Sequence, residues 1–207
     1  MHHFNPDIYL PGEQPADTKL SDKFGGLPEG LPAHLWPVCA NCGGPQSFGA
    51  QFEHDAERLD LGRPGRRIYL FQCGNPDTGD DCETWDAESG TNAALVVEPE
   101  ALITGVTIRP SEAALETEVI VGAWRRHEAP AGAPTGDTRL GGAPWWIQSD
   151  DEIDTSTWRF LGQLNDFHEI AGDTLAAANY GCGLAYFFLE KDCLASVTPR
   201  ARILWQC

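Results

Sequence analysis

The chain has 207 residues with 14 Lys+Arg against 31 Asp+Glu, a formal net charge of −17. So acidic a surface repels phosphate backbones, which argues against direct DNA or RNA binding and leaves a basic protein partner, or plain solubility, as the meaning of the charge. Hydrophobic residues at 42%, with 22 Gly and 15 Pro, exclude a disordered chain in favour of a folded, turn-rich one, and no apolar run reaches the roughly 18 residues that span a membrane.

Residues 1–22 are polar and proline-bearing and read as an N-terminal arm on the surface. Met1-His2-His3-Phe4 has no basic stretch followed by an apolar one, so no signal peptide is expected. Together with the odd cysteine count, this points to the reducing cytoplasm, with Cys182, Cys193 and Cys207 as free thiols. Next comes Lys23-Phe24-Gly25-Gly26-Leu27-Pro28, where paired glycines permit positive φ and proline fixes the exit of the turn.

Val38-Cys39-Ala40-Asn41-Cys42-Gly43-Gly44-Pro45 then places a Cys-x2-Cys pair on a Gly-Pro knuckle, answered by Cys73 and Cys82. Between the pairs, Ser47–Phe52 and Arg67–Gln72 read as strands ending near a ligand. Four sulfurs so arranged suit one tetrahedral Zn2+. The other readings are buried or disulfide-linked cysteines, or a redox pair. A redox pair expects a helix after the motif, and Gly43-Gly44-Pro45 opens none.

Thr91 to Gly136 is a connector. It contains strand-like Ala93–Val97 and Val119–Val121, a capped helical turn at Ser111–Glu116, and a linker at Ala129–Pro134. Beyond it the earlier motifs return in order. Arg139-Leu140-Gly141-Gly142-Ala143-Pro144 repeats the Gly-Gly turn. Phe160–Leu164, with Gln163, repeats Phe48–Phe52, with Gln51. Ala185–Phe188 repeats Ile68–Phe71. The fold class expected is therefore β-rich, α+β with few short helices. It comprises two tandem related β units from an internal duplication, the first carrying the zinc knuckle. The boundaries are 1–22 for the arm, 23–134 for the first repeat with its connector, and 135–207 for the second. Both aromatic strands lack polar alternation and read as central. Gln51 and Gln163 sit among apolar neighbours, where their amides need partners, most simply the backbone of a turn.

Candidate contacts to a partner are Lys23 and Arg139, Trp145 and Trp146, and the acidic loop Asp150, Asp151 and Glu152. The turn cations read either as anion-contacting or as solvated. The acidic loop lacks the alternating oxygens and central glycine of a Ca2+ loop. No nucleophile elbow, phosphate-binding glycine loop, dinucleotide fingerprint or His-Glu-x-x-His motif occurs, so a non-enzymatic role is expected. The alternative is a small-ligand binder or enzyme working in a cleft between the repeats, with Lys23, Arg139 and His168.

Taken together, the Gly-Gly-x-Pro turn, Cys39-x2-Cys42-Gly-Gly-Pro, Ser47–Phe52 and Ile68-Tyr69-Leu70-Phe71-Gln72-Cys73-Gly74-Asn75-Pro76 resemble the programmed cell death protein 2 family and the related YwqG-like proteins. The second copy is the more YwqG-like. Gly49-Ala50 and the late Cys82 depart from the family pattern. The resemblance spans about residues 23–85 and 139–190. It implies a non-enzymatic binder of a basic protein, either a chaperone of a ribosomal protein or an immunity protein facing a toxin.

Overall fold

The computed structural model describes residues 2–74, 82–128, 136–150, 153–176, 178, 180–192 and 199–207. Among these, one ten-stranded antiparallel sheet dominates, and helix is confined to short 3-10 turns, at Ala33–Leu35, at Pro99–Ala101 and at residues 191–192. The strands are β1 (His2–Tyr9), β2 (Lys23–Phe24), β3 (Ser47–Glu53), β4 (Arg67–Gln72), β5 (Asn92–Val97), β6 (Val119–Glu128), β7 (Arg139–Gly141), β8 (Trp158–Asn165), β9 (Phe167–Ile170), β10 (Asp173–Ala176), β11 (Leu184–Glu190) and β12 (Ala201–Gln206). Strands β9 and β10 form a separate hairpin.

The sheet order is β12-β11-β8-β7-β1-β6-β2-β3-β4-β5, and its two edges meet at a single bridge, Leu95 to Arg200. The result is a nearly closed barrel, which leaves little open strand edge. Read outward from the centre, one side runs β6-β2-β3-β4-β5 and the other β1-β7-β8-β11-β12.

Both aromatic strands are central and buried on both faces, as their unbroken apolar runs predict. Ile68 and Leu70 of β4 point into the barrel beside Ala185, Phe187 and Leu189 of β11, in one lumen core fed by both halves. The alternate residues face outward into two smaller cores. Tyr69 and Phe71 pack under Leu31, Trp36 and Ala113, while Tyr186 and Phe188 pack under Trp145, Trp146 and Ile153. Each half is thus a three-layer stack with a shared inner layer.

Two expectations are corrected here. The supposed arm instead supplies β1, paired along its length with β6 and at His3 and Phe4 with β7. Its polar residues and Pro6 disguise a strand whose ladder partners lie far away in sequence. The helical turn expected at Ser111–Glu116 is no helix; one hydrogen bond from Ala113 N–H to Pro110 O closes a turn there. The Ala129–Pro134 linker lies outside the described residues.

Candidate metal centre

The knuckle is a two-residue bridge folded back on itself. Val38 pairs with Pro45, Cys39 N–H donates to Gly44 O at 2.8 Å, and Gly43 N–H donates to Cys39 O at 3.0 Å. Gly43 has φ +72°, the left-handed conformation that lets so tight a loop close. Cys73 directly follows β4, and its N–H donates to Thr91 O at 2.8 Å. Cys82 returns from the other side, in a segment tied to the knuckle by Ala40 N–H to Gly90 O at 3.0 Å.

These elements bring Cys39, Cys42, Cys73 and Cys82 together, with all four sulfurs within 4.8 Å of one another. Cys39 and Cys82 Sγ lie 3.7 Å apart, and Cys42 and Cys73 Sγ 3.6 Å apart. A tetrahedron with Zn–S bonds of ~2.3 Å has S···S edges of about 3.8 Å, so the spacing fits Zn2+. A disulfide would need a separation of about 2.05 Å. The donor set fits as well: thiolate sulfur is the ligand Zn2+ prefers, and four protein ligands leave no position for water. Cys39 and Cys82 are buried, Cys42 and Cys73 half-buried. Burial pushes the Cys39 thiol up, opposed by the N–H groups of Cys42 and Asn41. A bound dication would overcome that cost of burial by stabilising the thiolates. The Asn41 amide also reaches Cys82 Sγ, at 3.7 Å.

The centre anchors more than the knuckle. The segment after Cys82 leans onto β12 of the other half: Trp205 Nε1–H donates to Thr84 Oγ1 at 3.0 Å, Trp85 and Trp205 meet edge to face, and Arg202 pairs with Glu88. A metal held by the four cysteines would therefore pin a strap across the barrel's weakly paired edge.

The two Gly-Gly turns share one device. Gln51 accepts from Glu29 N–H at 2.8 Å and donates to Ser21 O at 2.7 Å, while the Tyr69 hydroxyl donates to Glu29 O at 2.7 Å. Gln163 accepts from Trp145 N–H at 3.1 Å and donates to Asp137 O at 3.0 Å, while Tyr186 donates to Trp145 O at 2.7 Å. In each case Gln and Tyr satisfy both backbone groups of the residue after the turn proline, so the glutamines serve backbone.

Lys23 and Arg139 are neither exposed nor solvated. Lys23 is buried, with Nζ 2.5 Å from Glu118 and 3.7 Å from Glu29. Arg139 is buried and donates to Ala143 O at 2.8 Å. Each sits on a strand between two others, where a cation is buried only with acceptors at hand. The carboxylate partner of Lys23 lies 95 residues away and left no local signal. Trp145 and Trp146 are half-buried in the outer core, with Trp146 4.7 Å from the Tyr186 ring. Asp150 is exposed; Asp151 and Glu152 lie outside the described residues. His168 is buried against Phe24 at 4.4 Å, where desolvation lowers its pKa to about 4. Cys182 and Cys207 are exposed free thiols, and Cys193 lies outside the described residues. Among the described residues, no helix is long and apolar enough to cross a membrane.

Fold and site together define a class: a β-rich, nearly closed ten-stranded protein with a four-cysteine cluster able to hold a metal ion. A scan against family models, a search of curated proteins and a search of solved structures each found no match.

Proposed function

We propose that this protein is a non-catalytic, cytoplasmic binding module for a basic protein, built by internal duplication and stabilised by one structural Zn2+. The observation that carries the metal reading is the closed set of four sulfurs at tetrahedral spacing. With no ligand position left for water or substrate, the ion's role is to hold chain segments together rather than to polarise a reactant. The identical Gln–Tyr devices, the matching strand orders and the paired Gly-Gly turns support the duplication. The basic partner is supported by the net charge of −17 and by the resemblance to the programmed cell death protein 2 and YwqG-like proteins.

Elemental analysis of protein purified without added metal tests the first part, with about one Zn per chain expected from four ligands. Metal-free protein that is fully folded overturns it. The partner is tested by affinity capture followed by kinetics against salt. Long-range attraction raises the association rate and weakens as the Debye length shortens to ~8 Å, so association slows with salt while dissociation changes less. An acidic partner, or an association rate indifferent to salt, overturns the reading.

A further inference from the structure

We infer that the groove between the first Gly-Gly turn and the irregular segment entering β6 receives a segment of the partner that bears both basic and apolar side chains; this rests on the basic-partner reading. The groove has a volume of about 650 Å3, with Gly26, Leu27 and Glu29 on one wall and Val106 and Leu115–Glu118 on the other. Its walls are braced by Gly26 N–H donating to Glu116 O at 3.0 Å and by the bridge from Glu29 to Val106. It is therefore a built feature of the sheet.

Two observations identify the occupant. The first is charge. Lys23, the groove's one cation, has only 4% of its side chain exposed and lies between Glu118 and Glu29, whose side chains are 35% and 48% exposed. An incoming segment meets carboxylates, with the ammonium behind them. The second is apolar exposure. Of the nine large hydrophobic residues exposed among the described residues, four fall within residues 103–115: Val106 and Leu115 line this groove, and Ile103 and Ile108 are their neighbours in sequence, Ile108 being 83% exposed. Scattered exposed apolar residues are ordinary, but a cluster beside a groove marks an interaction surface. Carboxylates flanked by aliphatic side chains match lysine or arginine neighboured by leucine or valine. They disfavour acidic segments, whose charges would face Glu29, Glu116 and Glu118 with Lys23 alone to offset them.

The test uses the full zinc-loaded chain and fluorescent peptides of alternating Lys-Leu, Lys-Ser and Glu-Leu, followed by anisotropy and by amide chemical shifts. The Lys-Leu peptide should bind best and shift amides at 26–29, 106–108 and 115–118. Leu115→Lys and Val106→Lys alter exposed side chains and should keep the fold while weakening binding about tenfold or more each, the loss expected when a cation replaces a buried apolar contact. Glu29→Gln should weaken it less. Binding of Glu-Leu as tight as Lys-Leu, absence of Lys-Leu binding, or binding unchanged in both variants overturns the groove. If a captured basic partner binds wild type and Leu115→Lys equally, the groove falls while the basic-partner reading stands. A captured acidic partner overturns that reading instead.

Discussion

The two halves of the barrel solve one problem identically and another differently. Both close a Gly-Gly-x-Pro turn with a buried glutamine and a buried tyrosine from neighbouring strands. Both bury a turn cation, yet Lys23 lies against Glu118 whereas Arg139 bonds a carbonyl. The outer core of the first half is covered by loops continuous with the cysteine knuckle. That of the second is covered by Trp145, Trp146 and Ile153 packed on β11. The lesson is that the turn device belongs to the strand framework, while the means of covering the outer face is free to vary.

The largest break in this comparison should come from the metal. Chelation, or Cys39→Ser, should cost on the order of 4 kcal/mol or more, because loss of a metal centre is among the few single changes with effects that large. Thermal unfolding measures the size. Hydrogen exchange should show protection lost in the knuckle, at 82–91 and also in β12, since the strap after Cys82 contacts Trp205 and Arg202. Loss confined to the knuckle would show that the strap holds without the metal.

Gln51→Leu and Gln163→Leu sharpen the shared part. Each strands a buried turn N–H and a carbonyl, at about 1–3 kcal/mol per group, so the two variants should cost similar amounts in denaturant unfolding. A cost in one half alone would mean that the second turn finds other partners.

Acid exposes an asymmetry. His168 belongs to the β9–β10 hairpin of the second half, yet its ring packs on Phe24 of the first. Desolvation holds its pKa near 4, below the ordinary 6.5. Its contribution is therefore fully present above pH 6.5 and is lost as pH falls from 6.5 towards 4. The difference corresponds to about 3 kcal/mol. Unfolding free energy measured against pH should fall across that window, and His168→Gln should flatten the fall. An unchanged slope in the variant would place the titration elsewhere.

The smallest effects are expected from the tyrosines. Each hydroxyl donates to the carbonyl of the residue after the turn proline and also meets a second donor, the Arg67 side chain at Tyr69 and Ile147 N–H at 3.2 Å at Tyr186. Tyr69→Phe and Tyr186→Phe should therefore cost similar amounts, about 1 kcal/mol each. Paired denaturation curves measure the match; a cost in one half alone would show that the other turn carbonyl finds another donor.

Several features were legible in the residues themselves because their causes are local. Unbroken apolar runs such as Ile68–Phe71 and Ala185–Phe188 announce strands buried on both faces, and each of the two strands is paired on both sides in the sheet. Paired glycines announce positive φ: Gly25 and Gly26 stand at +56° and +64°, Gly141 and Gly142 at +71° and +76°. Cys-x2-Cys on a Gly-Pro knuckle announces a chelate, and the late Cys82 lies within reach of the other three sulfurs.

Only the tertiary structure decided the rest, because it depends on pairings between distant segments. Residues 2–9 carry no strand pattern and become β1 because β6, more than a hundred residues away, offers the ladder. Lys23 looks like a surface residue until Glu118 arrives beside it. The two halves read as separate units until their strands line one lumen, where Phe52 stacks on Phe187 at 5.8 Å. Periodicity reports which face of a strand is apolar; it carries no information about which strand that face will meet.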